Sequence, residues 1–380
     1  MVTVEMIDTS DRRQVKRFID IQFKLYQDCP QWVPPILIDR RAQLNKKKHP
    51  FYEHSEADFF IAVKDGEDVG CIAALINKPY NEYQNKKQAS FYLFDTIDDQ
   101  EVADALFKAV FDWAKERGMN QVVGPKGFGP LDGYGIQTMG YEHRQMMTMM
   151  HYNYDYYPGM MEKIGFRKEV DFLSDYFDIS KVKELFPERI HRIAERVQKR
   201  GTLKVKRFKN KKELAAWGQR IGEAYNRAFV NNWEYYPLSK WEIDFVVENI
   251  LVIADPKLFK IIIHGDEVVG FLFSFKDISK ALQRSKGRMF PFGILYILWE
   301  LNHTEWISFN GTGILPKFQG IGGNALMYSE MAKSMDEYPF VHGDMPQVAE
   351  TTKEMRADLE NLGGVPYKNH RVYIIDIDSN

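Results

Sequence analysis

The sequence predicts an α/β protein built from one unit used twice. Three paired features carry this reading. The turn DGEDVG ending at Gly70 lies between β-rich runs Asp58–Val63 and Cys71–Ile76; GDEVVG ending at Gly270 lies between Phe259–His264 and Phe271–Phe275. Both read as hairpins, 200 residues apart. An amphipathic helix precedes each, over Arg13–Tyr26 and Lys212–Phe229. Each half also has a late helix ending in glycine, at Gly165 and Gly363, and then closes on strand-like sequence, Asp171–Phe177 and Arg371–Ile377.

Between these markers, Glu101–Arg117 and Asn324–Asp336 read as helices of equal rank, leading into short strands Gln121–Pro125 and Phe340–Met345. The offset between halves grows to 219 at those strands and returns to 198 at the late glycines. The second half therefore carries an insertion at about Asp277–His303, and the first a similar one at about Lys126–Met150. Residues 1–180 and 202–380 are the expected domains, each with its own sheet, joined by a basic helix over 181–201. From Lys181 to Lys212 there are 13 Lys or Arg against three Glu, with Arg189, Arg192, Arg196 and Lys199 at helical spacing. The plain reading is a solvated face; the sharper one is a dock for an anion.

At 380 residues the chain is long for one core. A hydrophobic fraction of 44% and charged fraction of 27% are ordinary for a globular protein. A net charge of −2 argues against a dedicated nucleic-acid binder. Two cysteines, Cys29 and Cys71, offer neither a disulfide framework nor a CxxC metal site, so no metal is expected and a reducing cytoplasm fits. The first residues lack the apolar stretch of a signal peptide. The longest apolar run, Met289–Trp299, is too short to span a bilayer, and no membrane partner is expected.

The segment most suggestive of chemistry is NGTGILPKFQGIGGNALMYSEMAKSM, Asn310–Met335. A strand ends at Ile314-Leu315-Pro316, a turn follows with Gly320, Gly322 and Gly323, and a helix begins with apolar Ala325, Leu326, Met331 and Met335. Such a turn aims backbone N–H groups and the positive end of a helix dipole at one point, suited to a pyrophosphate. Its spacing fits neither GxxxxGK[ST] nor GxGxxG. The equivalent stretch of the first half, Phe94–Asp104, has no glycine and five acidic residues, which would satisfy that dipole and repel an anion. The first half is thus expected to be a scaffold or substrate-side unit. Two other clusters stand out. Met146–Met161, with six Met and four Tyr, reads as a thick core; the glycine-rich run Lys126–Gly140 reads as a long mobile loop over the groove.

The loop Gln319-Gly320-Ile321-Gly322-Gly323-Asn324 resembles the Q/R-x-x-G-x-G/A loop of GNAT-type acyltransferases, with Asn324 in the last slot, and Ile314-Leu315-Pro316 resembles that family's V-x-P strand end. The element order β-α-α-β-β-β-α-β-α-β-β is the GNAT order, here twice. Together with WVPP (Trp32–Pro35), HPF (His49–Phe51), DWAKERGMNQVVGP (Asp112–Pro125), YNYDYYPGMMEKIGF (Tyr152–Phe166) and NNWEYYPL (Asn231–Leu238), the whole chain resembles a bacterial family of tandem GNAT-like proteins. The resemblance implies two mixed, mostly antiparallel sheets flanked by helices. It implies acetyl-CoA or another acyl-CoA as co-substrate, held by Ile314, Leu315, Gln319, Gly320, Ile321, Gly322, Gly323 and Asn324. The acceptor would be a small amine or aminoacyl group attacking the thioester directly.

That reaction needs a base for the ammonium and an acid for the departing thiolate. Base candidates are Glu350, Glu305, His342 and Asp344; the last two alternate on one strand and so share a face. The family's tyrosine acid would stand where this chain has Leu359; Tyr367 is the substitute candidate. Two other readings remain: a non-catalytic acyl-CoA or metabolite-binding protein, and an aminoacyl-tRNA-dependent transferase. Gly322→Val is expected to abolish CoA binding with the fold intact, and Tyr367→Phe to slow turnover ~100-fold.

Overall fold

The computed structural model describes residues 1–129, 132–147, 150–181 and 188–377. Parts of the regions read above as the 126–140 loop, the 146–161 core and the 181–201 linker fall on 130–131, 148–149 and 182–187, outside the described residues.

The first half follows the expected order. It begins with β1 (Val2–Met6), α1 (Arg12–Leu25) and α2 (Leu37–Gln43), then the hairpin β2 (Glu56–Lys64) and β3 (Glu67–Ile76). The hairpin turns on Asp65 and Gly66, both at positive φ, the geometry that matches strand twist. Next come α3 (Lys78–Gln84), β4 (Gln88–Thr96), α4 (Gln100–Glu116), β5 (Gln121–Gly124), β6 (Ile136–Met139), α5 (Tyr157–Ile164) and β7 (Arg167–Asp178). The 126–140 region is less loop-like than its glycines suggest, because β6 pairs with a central strand. Tyr157, Met160 and Met161 sit in the first-half core, as the Met/Tyr cluster predicts.

The second half has α6 (Glu188–Arg200), β8 (Lys204–Lys206), α7 (Lys211–Ala216), α8 (Gly218–Ala228) and α9 (Lys240–Ile253). The expected single helix over 212–229 breaks at Trp217. The hairpin β9 (Phe259–His264) and β10 (Glu267–Lys276) is followed by the insertion, two helices α10 (Ser279–Ser285) and α11 (Gly293–His303). Then come β11 (Trp306–Ile314), α12 (Gly323–Met335), β12 (His342–Ala349), α13 (Lys353–Asn361) and β13 (Val365–Asp376). The basic helix α6 does not stand free of the core: Ala194 and Val197 are buried around α12 and β11, while Arg189, Arg192, Arg196 and Lys199 stay exposed on its charged face.

The expectation of two separate sheets fails. One 13-stranded sheet runs β1-β2-β3-β4-β5-β13-β7-β12-β11-β10-β9-β8, with β6 attached to β13. The closing strands are exchanged: β13 pairs with β5 of the first half, and β7 pairs with β12 of the second. They meet as an antiparallel pair at the centre, Val365 opposite Tyr176 and Ile374 opposite Arg167. Each half therefore lacks a complete sheet without the other. Tyr373 of β13 lies in the first-half core and Phe177 of β7 in the second. Truncation after Gly364 should therefore remove the cooperative unfolding transition of the whole chain, not only of the second half. Thermal denaturation followed by circular dichroism checks this.

Candidate functional site

The site begins where two central strands separate. β11 and β12 pair in parallel for only Trp306–Ser308 against His342–Asp344. Beyond this, β12 stays with β7, while β11 continues along β10 through a bulge at Gly311, whose φ is +76°. The opening lies alongside Asn310–Ile314.

At its rim the chain turns through Pro316–Phe318 and the glycine loop into α12. Gly320 (φ +73°) and Gly322 (φ +93°) need the left-handed region. Gly323 is glycine because a Cβ there would lie 2.7 Å from Ile314 Cδ1, so the helix seats on the strand end. No side chain caps α12. Gln319 Nε2 donates to the Ile314 carbonyl at 3.1 Å, and Asn324 Nδ2 to Asp358 Oδ2 at 3.3 Å. From across the loop, α6 brings Arg196 and Arg200 to the same opening. A helix N-terminus, glycine N–H groups and two guanidinium groups suit a polyphosphate.

The opening leads into a cavity of about 1080 Å³ between the halves. Its walls are mainly apolar and aromatic: Tyr134 and Phe172 from the first half, and Tyr225, Phe229, Trp233 and Ile243 from the second. Its polar end is built by both halves. There Lys126, buried, pairs with Glu234 and lies 4.0 Å over the Tyr80 ring. Tyr80 donates to Glu234 Oε1 at 2.7 Å. Burial pushes the Lys126 ammonium down. Glu234 has φ +61°, a conformation non-glycine residues rarely hold, here fixed by those two contacts. In α12, Tyr328 lines the cavity, is 8% exposed, and faces the Thr312 side chain. The Thr312 side chain is the polar neighbour of its hydroxyl, which makes no well-aligned hydrogen bond among the described residues, and burial pushes its pKa up.

The first half has the same wedge, filled. Gly70 pairs with Thr96 as Gly270 pairs with Ile314, so Thr96 is the counterpart of Ile314. The Thr96 N–H donates to the Tyr157 hydroxyl at 2.9 Å, and its carbonyl accepts from Tyr156 at 2.7 Å. Asp99 caps α4 and is held by Lys64. Tyrosines and carboxylates thus occupy the positions that stand open in the second half.

Ile314, Gln319, Gly320, Ile321, Gly322, Gly323 and Asn324 line the cavity; Leu315 points into the core. The five acid–base candidates do not line it. Glu305 is exposed and Glu350 binds Lys168 and the Asp171 N–H on the outside. His342 bonds Tyr176 at 2.7 Å. Asp344 is buried with Tyr367, whose hydroxyl is 3.4 Å away. Asp344 belongs with Lys368 and the Arg144–Asp277 ion pair: burial raises the acid and lowers the lysine, and their opposite charges counter both. Parity explains the miss. His342 and Asp344 do share a face, but the cavity takes the other, through Met345. Lys126, Glu234 and Tyr328 were not singled out; the nearest sequence signal is Tyr328, one turn past Asn324.

The Gly322→Val expectation also changes. A Cβ at 322 would lie 2.7 Å from Val197 Cγ2 and 3.2 Å from Ile193 Cγ2, so valine would push α6 away as well as filling the loop. Reversing the charge of Arg196, which is exposed at the rim, is a cleaner probe.

No family model matches the chain. Protein YghO of Escherichia coli (strain K12) is 26% identical over 373 residues, 96% of this chain and 93% of that protein. Bacterial ceramide synthase of Caulobacter vibrioides (strain NA1000 / CB15N) is 26% identical over 379 residues, 97% of each. Among solved structures, a tandem GNAT protein from the clavulanic acid biosynthesis pathway superposes with a TM-score of 0.59 over 100% of both chains at 9% identity. A GCN5-related N-acetyltransferase from Sphaerobacter thermophilus gives 0.52 over 99% of this chain and 96% of that one, at 12% identity. The fold is that of tandem GNAT proteins. Among the described residues no group of His, Cys, Asp and Glu is placed to hold a metal ion, and no helix is long and apolar enough to cross a membrane.

Proposed function

We propose that this chain is an acyl-CoA-dependent N-acyltransferase that transfers a long acyl chain to an amine. One observation carries the reading: the glycine loop opens into a large, mainly apolar cavity. Small-molecule pockets usually measure ~300–1,000 Å³; this one also takes in the loop and strand that would hold CoA, and its apolar walls continue beyond them as far as Tyr80 and Lys126. The ceramide synthase relative points the same way, since a ceramide is a long-chain amine bearing a fatty acyl group.

In this reading the pyrophosphate lies on the N–H groups of Gln319–Asn324, with Arg196 and Arg200 beside it, and the thioester lies along Asn310–Ile314. The acyl chain fills the aromatic cavity. The amine nitrogen attacks the carbonyl carbon, the C–N bond forms, and the C–S bond breaks. Tyr328 gives its proton to the departing thiolate. The amine enters beside the thioester and loses its proton to water at the rim, from which Tyr328 is reprotonated. The buried Lys126–Glu234 pair with Tyr80 closes the far end of the cavity. The cytoplasm is the compartment that supplies acyl-CoA.

The test is direct. Palmitoyl-CoA should raise the melting temperature of the parent, and long-chain amines should release free CoA when added. Arg196→Glu should weaken CoA binding about tenfold or more, within the range for losing a charge-assisted contact. If palmitoyl-CoA binds with unchanged affinity to Arg196→Glu, the loop is not the CoA site. Binding without transfer to any of a panel of amines would favour the acyl-CoA-binding protein instead.

A further inference from the structure

Between its third and fourth strands the first half has α3 alone; the second half has α10 at that place and α11 added after it, and the cavity uses neither α10 nor α11. One face of α11 is accounted for: Ile297, with half-buried Leu301, packs on Ile278, Ala281 and Leu282 of the α10 region and on Val33. The opposite face is bare. Phe290 is 69% exposed, Phe292 and Leu295 60%, Leu298 53% and Trp299 48%. Clusters of aromatic and aliphatic side chains this exposed are uncommon on a monomer and mark an interaction surface.

The charges around the patch decide which kind. Lys280, Arg284, Lys286 and Arg288 are all exposed on the segment leading into α11. Arg284 sits 5.3 Å from the Trp299 ring centre. No acidic residue of 278–303 is exposed, because Glu300 is 2% exposed on the inner face. Aromatic and aliphatic residues on one side of a short helix, beside a row of lysines and arginines, are the signature of a helix that lies in a membrane interface. A second copy of the chain fits poorly, since a two-fold contact would bring the same cations together.

We infer that α10 and α11 form a membrane-docking element that seats the protein on an anionic bilayer surface. The apolar face enters the headgroup–acyl boundary, and the four cations meet the anionic headgroups. This differs from the sequence reading, in which Met289–Trp299 is too short to span a bilayer and no membrane partner is expected. A helix too short to cross can still lie within the surface. The inference stands apart from the proposed chemistry. The two are linked by α9, whose Ile253 packs on the same cluster while its Ile250 and Leu251 line the cavity.

The experiment is co-sedimentation of the full chain with phosphatidylcholine vesicles, with and without phosphatidylglycerol. Binding is expected to phosphatidylglycerol-containing vesicles and should weaken as salt is raised. Combined Phe292→Ser, Leu295→Ser and Trp299→Ser should reduce it at least tenfold, with circular dichroism and melting temperature near those of the parent. Lys286→Glu with Arg288→Glu should reduce binding to the anionic vesicles to the level seen with phosphatidylcholine alone. Failure of the parent to bind anionic vesicles would overturn the inference, as would unchanged binding by the serine variant. So would analytical ultracentrifugation showing a dimer that the serine variant converts to monomer.

Discussion

Tyr328→Phe should lower turnover about 100-fold or more while leaving acyl-CoA affinity within a factor of about two. The size is that of removing a general acid. The argument rests on an exception to ordinary packing. Buried hydroxyls nearly always find a partner, because an unsatisfied one costs roughly 1–3 kcal/mol. Tyr328 is 8% exposed, and its hydroxyl has only the Thr312 side chain beside it, with no well-aligned hydrogen bond among the described residues. It stands on the helix that begins at the glycine loop and faces Thr312, just before the strand end. Burial keeps it protonated until reaction and makes it a weaker acid, so the transfer depends on the thiolate forming in the same desolvated site, where its own basicity is raised as well. Phenylalanine retains the packing and removes only the weak contact to Thr312, so the variant should melt near the parent temperature. Slower turnover in a protein of equal stability separates a chemical role from a structural one. Tyr367→Phe is the matched control. Its hydroxyl points to Asp344, away from the cavity, so turnover should hold. A reversed pattern would return the acid role to Tyr367.

What the sequence made legible follows from what its patterns encode. Turn residues and alternation encode local structure, so the two hairpins fall within a few residues of their expected limits. The glycine loop was also legible, because φ > 0 and close helix–strand packing both demand glycine. Strand partners are another matter. β7 and β13 carry similar buried patterns, so either could satisfy β5 or β12, and nothing in their composition reports the exchange. The catalytic candidates failed for a related reason. Alternation places His342 and Asp344 on one face but does not say which face is open. Lys126 and Glu234 are 108 residues apart and become neighbours only through the assembly of both halves. The filled wedge of the first half was half legible: its acidic loop was seen, but not that Tyr156 and Tyr157 cover Thr96.

Acyl-chain length should control affinity more steeply than any single substitution at the loop. A preformed apolar cavity stabilises each methylene that enters it by about 0.8 kcal/mol, and every 1.4 kcal/mol is tenfold in affinity. Four added methylenes thus contribute roughly 3 kcal/mol, so dodecanoyl-CoA should bind about 100-fold more tightly than octanoyl-CoA. The series should flatten once the chain reaches the polar end at Lys126 and Glu234, where a methyl group would meet a buried ion pair instead of aromatic rings. Narrowing the cavity tests whether the slope belongs to it. Gly222 backs onto Ile243, which lines the wall, and a Cβ there would lie 2.4 Å from Ile243 Cγ2. Gly222→Ala should therefore move Ile243 inward and shift the plateau to shorter chains. Isothermal titration with the acyl-CoA series reads both effects. Equal affinity for acetyl-CoA and dodecanoyl-CoA would mean that the acyl group lies outside the cavity, and the long-chain assignment would fall while the CoA loop stood.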